Sequence, residues 1–156
     1  ATSFSATESV SIGNSVTGIT TFSGGVSFKS SLREAVKITA GKLSDNTHID
    51  LANGMIHYFT TQETTTCTPN IRVDGSTSLN NVLEIGQQVA VTIVTTAAAA
   101  GFSSHFTVDS SAVTESWIGG SAPTAGGSSG VDLYSLNIIK TANATFTVIA
   151  NHSKTS

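Results

Sequence analysis

Short runs of alternating apolar residues recur along this chain, and no stretch carries the repeat of a convincing long helix. The clearest run is Gln88 to Thr95, QVAVTIVT, where Val89, Val91 and Ile93 share one side of an extended strand. In THIDLANGMIHYFT, residues 47–60, Ile49 and Leu51 alternate before Asn53-Gly54, and Ile56 and Tyr58 alternate after it. Asn-Gly is the preferred pair for a type I′ turn, because both central residues need φ > 0. A β-hairpin is therefore expected there.

Other segments follow the same plan. KSSLREAVKITAGKL, residues 29–43, places Leu32, Ala35 and Val36 on one helical face, with Ser30 or Ser31 as a cap. Val36, Ile38 and Thr39 equally fit a strand, and a strand after a turn suits the β-rich chain that follows. Ile71-Arg72-Val73 reads as a short strand ended by a turn at Asp74-Gly75. Ala97 to Gly101 reads as a flexible loop. Phe102, Phe106 and Val108 begin further strands, turned by Asp109-Ser110. The pattern predicts an all-β fold, an antiparallel β-sandwich resembling a jelly roll, over residues 29–156.

Residues 1–28 are different. Val10, Ile12, Val16, Ile19, Phe22, Val26 and Phe28 punctuate Ser, Thr and Gly. They are too sparse for a core of their own, yet apolar enough to favour burial. An extended arm for attachment or oligomerisation is expected, with those seven residues as its assembly interface.

Charge narrows the partners. Only 11% of the 156 residues are charged, against about a quarter in a typical globular protein. The formal net charge is −3, which argues against nucleic acid, because phosphate binding needs clustered Lys and Arg. No apolar run approaches the roughly 20 residues of a membrane-spanning helix. The start, ATSFSATESV, lacks the basic and apolar regions of a signal peptide. The single cysteine, Cys67, permits no internal disulfide and reads as a small filler among threonines.

No constellation of residues announces a reaction, so no catalytic residue, metal site or cofactor is expected. His48 and His57 would approach each other across the expected hairpin with Asp50 nearby, but two imidazoles make a poor metal site. Glu84, Glu115 and Asp132 are candidate paired carboxylates of a glycosidase, with nothing in their spacing to single them out. The loop Gly126-Gly127-Ser128-Ser129-Gly130 leads into a strand, so it lacks the helix N-terminus that phosphate loops use. Trp117 and Tyr134, with Tyr58, offer flat rings for sugar stacking. The competing reading makes Trp117 a core anchor beside a glycine turn.

Several pieces, in order, carry a resemblance: SLREAVKI, HIDLANGMIHYFT, NIRVDGSTSLNNVLEIGQQVAVTI and the long C-terminal run from FTVDSSAVTESWIGG to IANHSK. Most specific are Trp117-x-Gly119-Gly120-x-Ala122-Pro123-Thr124, then Asp132-x-Tyr134 and Ile139-Lys140-Thr141. From about Ser31 to His152 the chain resembles the C-terminal β-domain of tail-fibre and appendage proteins of marine phages, including those of cyanobacteria. The resemblance implies a virion structural protein on the outer surface, made in the host cytoplasm, often a homotrimer, without cofactor or catalysis. Its partners would be sister copies and the major capsid protein or other virion proteins. Only about 30 residues precede the domain here, where long fibres carry a shaft. That departure favours a capsid-decorating or appendage protein. The alternative is a receptor- or glycan-binding module at a fibre tip, with Trp117 and Tyr134 against a host surface glycan.

Overall fold

The computed structural model describes Ser27 and residues 29–156. The chain divides into Ala1–Arg33 and Glu34–Ser156, and the fold below is that of the second unit. The seven arm residues from Val10 to Phe28 lie outside the described residues.

Successive early strands alternate between two sheets. β1 (Val36–Thr39), β3 (Ile56–Gln62) and β5 (Gln88–Thr96) enter one sheet, and β2 (His48–Asp50), β4 (Asn70–Arg72) and β6 (Thr107–Val108) enter the other. β7 (Ser111–Ala112) ends the second sheet, and β8 (Glu115–Trp117), β9 (Val131–Ala142) and β10 (Thr145–Lys154) complete the first. The orders are β1-β3-β5-β9-β10-β8 in the six-stranded sheet and β2-β4-β6-β7 in the four-stranded one. The only α-helix among the described residues is one turn, α1 (Leu79–Val82). The fold is all-β, as the alternation predicts.

The expectation of antiparallel sheets is corrected. β1, β3 and β5 pair in parallel, as do β2, β4 and β6, and β8 pairs in parallel with β10. Among the described strands, β5 with β9, β9 with β10, and β6 with β7 are antiparallel. For the first six strands, connectivity is the reason. A chain that visits the opposite sheet before returning comes back in its original direction, and that detour is the crossover that parallel neighbours require.

The expected hairpin at Asn53-Gly54 is corrected for the same reason. β2 and β3 lie in different sheets, joined through a 3₁₀ turn at Leu51–Asn53. Gly54 has φ 119° and ψ 165°, outside a type I′ turn. A Cβ on it would lie 2.8 Å from the Ala35 carbonyl oxygen, so close backbone approach explains glycine there. The two-residue turn with both φ positive occurs instead at Asp109 (50°) and Ser110 (64°), between paired Val108 and Ser111.

Both sheets contribute to one hydrophobic cluster. Ile49, Ile71 and Val108 come from the four-stranded sheet, and Phe59, Ile93, Leu136, Ile138 and Val148 from the six-stranded one. β9 lies between β5 and β10 and alternates strictly, burying Asp132, Tyr134, Leu136, Ile138 and Lys140. Two of those five are charged, and both hold loops. Gly127 N–H donates to both Asp132 carboxylate oxygens, at 3.0 and 2.9 Å. Lys140 Nζ donates to the Asn80 and Leu83 carbonyls at 2.6 and 2.8 Å, at the C-terminal end of α1. At the other end, Asp109 accepts from Leu79 and Asn80 N–H, and Ser78 Oγ caps Asn81 N–H. Buried Glu63 likewise accepts from the Leu43 and Ser44 amides. Side chains from one element thus satisfy backbone donors and acceptors of another, which buried loops require.

Candidate functional site

Among the described residues, β1 and β2 are the first strands of the two parallel ladders, and each pairs with one neighbour. A crevice of about 440 Å³ involves both, lined by Lys37, Ile38, Thr39, Asn46, His48, Asp50, His57 and Phe59 among others. Lys37 and Thr39 pair with His57 and Phe59, so all four share the core-side register of the six-stranded sheet. Asp50 is engaged by Arg72, whose Nε lies 2.6 Å from Oδ1. A ring nitrogen of His57 sits 3.1 Å from the Gly54 carbonyl. Burial pushes the His57 imidazole below its ordinary pKa, opposed by the Gly54 carbonyl and Asp50 and reinforced by Lys37. The crevice thus presents hydrogen-bonding groups around a neutral imidazole. Among the described residues, no three of His, Cys, Asp and Glu are grouped to hold a metal ion.

The expected aromatic pair is divided. Tyr134 is 1% exposed, its ring edge-on to Phe106 (6.0 Å, 72°) and stacked on His152 (4.6 Å, 12°). Its hydroxyl accepts from Ser103 N–H at 3.0 Å, and burial raises its pKa above the usual phenol range. It presents no open ring face to a sugar. Trp117 is half-buried, packed against the cluster and 6.1 Å from Phe106. Full truncation of a buried Trp costs about 3–5 kcal/mol, so Trp117→Ala is expected to cost about 2 kcal/mol in a urea melt. A loss below about 0.5 kcal/mol would remove Trp117 from the core.

The other candidates are separately engaged. Glu115 accepts from Phe106 N–H at 2.6 Å, and Asp132 is turned to Gly127. Glu84 is exposed. Cys67 Sγ lies 3.3 Å from Ser103 Oγ, and burial pushes its thiol above the ordinary value, away from the reactive thiolate.

His152 reaches within 3.3 Å of buried Asp132. Burial nevertheless lowers its pKa, with the Asp132 carboxylate opposing. The folded state thus holds both His57 and His152 with depressed pKa values. Below the ordinary histidine value of about 6.5, the unfolded chain takes up protons that the folded chain resists. This contribution to stability is complete above about pH 6.5 and is lost as pH falls through the lowered folded values. Melting temperature is expected to fall between pH 7 and 5, and His57→Gln with His152→Gln should flatten that slope. An unchanged slope in the double variant would assign it to other groups.

The reverse face of the six-stranded sheet is the feature that sequence reading missed. Strand register places Ile38, Tyr58, Val94 and Leu133 side by side across β1, β3, β5 and β9. Val36 and Ile56 lie alongside, and Thr92, Ser135, Asn137, Ile149 and Asn151 extend the face. Ile38 is 63% exposed and Val36 46%, whereas Tyr58, Val94 and Leu133 are half-buried. No outward position of β1, β3, β5, β9 or β10 is acidic, basic or histidine. Lys37, His57, Asp132, Lys140, His152 and Lys154 all fall on the opposite register. The signal was the uncharged alternate positions in QVAVTIVT, but only the register joins them into one surface.

No family model matches the chain, and no curated protein or solved structure is significantly similar to it.

Proposed function

We propose that this chain is a structural protein of a phage virion, exposed on the particle surface. It is a capsid-decorating or appendage protein that acts by packing rather than by catalysis. The observation that carries the reading is the uncharged face with its apolar ladder. The chain as a whole is only 11% charged, and on this face the described strands carry no charged residue at all, in keeping with the depletion of charge at the core of packing surfaces. The resemblance to phage appendage domains supplies the particle. The partners are sister copies and the major capsid protein or another virion protein, and neither cofactor, nucleic acid nor membrane insertion is needed. The two sheets are faces of a β-sandwich, and residues 1–28 are the attaching arm. Cryo-EM of intact particles tests this. Density for the two-sheet domain is expected on the outer surface and lost when the chain is truncated to begin at Lys29. Particles that contain the protein but show no such external density would overturn the reading.

A second reading, a glycan-binding module at a fibre tip, is favoured by the crevice beside β1 and β2 rather than by Trp117 and Tyr134. Under it, Asn46→Ala with His48→Ala abolishes retention on host-surface glycan. Retention equal to that of the unaltered chain would exclude the crevice.

A further inference from the structure

We infer that the uncharged face of the six-stranded sheet is a self-association surface, and that its occupant is the same face of a second copy. This rests on the reading of that face as a packing surface and names its partner. The apolar ladder Ile38-Tyr58-Val94-Leu133 crosses four adjacent strands at one level. Beside it lie neutral hydrogen-bonding residues, Thr92, Ser135 and Asn151, in mutual register.

Charge chooses the occupant. Complementary charge is how unlike partners steer together and fix their register. This face has none to offer, and for the same reason two copies meet without like-charge repulsion. Size agrees. Strands about 4.8 Å apart and rising about 3.3 Å per residue give the long strands β3, β5, β9 and β10 a footprint of roughly 600 Å². β1 adds only about 60 Å² more, which leaves the footprint at the low end of the roughly 600–1,000 Å² per partner of standard interfaces. Two sheets stack face to face at about 10 Å, so side chains of the two ladders interdigitate. One face meeting its own copy is isologous and closes at two copies. That differs from the three-fold state implied by the resemblance, and particle mass separates them.

The test is sedimentation equilibrium of the full chain, with Ile38→Glu and Val94→Glu. Ile38 is largely exposed and β1 is the outermost described strand of its sheet, so its variant leaves folding intact even if Val94→Glu does not. The unaltered chain is expected to sediment as a dimer at micromolar concentration. Ile38→Glu is expected to weaken pairing at least ~10-fold, and Val94→Glu ~100-fold, with an unchanged circular dichroism spectrum. Mixing Val94→Glu with Val94→Lys should restore association, which a misfolded variant would not do. A monomer at ~100 µM, or an oligomer indifferent to Ile38→Glu and to a folded Val94→Glu, overturns the inference. A monomer that still decorates particles through this face would give the surface to a shell protein, overturning the self-pairing alone. Absence from the particle exterior would instead overturn the virion reading, whatever the oligomeric state.

Discussion

Tyr134→Ala is expected to lower stability by about 3–5 kcal/mol, among the largest effects of any single truncation in this fold. The ring is almost wholly buried in the longest strand and touches Phe106 and His152 on different sides. Removing it opens a cavity among side chains fixed by β5, β9 and β10, which cannot collapse without disturbing their register. The hydroxyl has its own role. Tyr134→Phe keeps the packing but leaves Ser103 N–H without its acceptor, at a cost of about 1–3 kcal/mol. Urea denaturation of both variants separates the parts. An alanine variant that loses less than about 1 kcal/mol, or a phenylalanine variant that loses as much as alanine, would refute this account.

Lys140→Met is expected to cost about 2–4 kcal/mol. Its ammonium is held by two carbonyls at the end of a one-turn helix rather than by a carboxylate. Methionine fills the channel of the side chain but leaves the Asn80 and Leu83 carbonyls unpaired, at about 1–3 kcal/mol for each buried group. Losing the cost of burying a charge offsets part of that. A single turn of helix has little stability of its own, so the damage should concentrate there. Amide exchange supplies the second readout, with faster exchange at Asn81 and Leu83 than in β5. A uniform change across the domain would mean that Lys140 contributes to general packing and not to the helix clamp.

Both residues belong to motifs that sequence reading singled out, Asp132-x-Tyr134 and Ile139-Lys140-Thr141. In the folded chain Asp132, Tyr134 and Lys140 all point inward from β9 and hold loops in place. Their chemistry is structural. The candidate site was correspondingly hard to read. Sequence motifs drew the eye to Trp117 and Tyr134, whereas the crevice and the uncharged face draw on residues from distant segments.

The sequence alone determined much of which stretches extend and which side of each is apolar, although Phe102 and Phe106, expected to begin strands, lie outside them. Val91 and Ile93 turn inward as QVAVTIVT requires, Asp109-Ser110 makes its turn, and the glycine-serine loop runs directly into β9. These depend on side-chain size and backbone sterics within a few residues, which are local quantities. Strand direction and neighbour were decided by the tertiary structure. Asn53-Gly54 has the chemistry of a hairpin turn, yet β2 and β3 enter different sheets, because pairing β2 with β4 and β3 with β5 buries Ile49, Ile71, Phe59 and Ile93 in one cluster. Alternation specifies which face is buried but carries no record of which strand lies alongside. That choice is made by the apolar surface that the whole chain can remove from water together, and it is why Ile38, Tyr58, Val94 and Leu133, scattered along the sequence, form a single row.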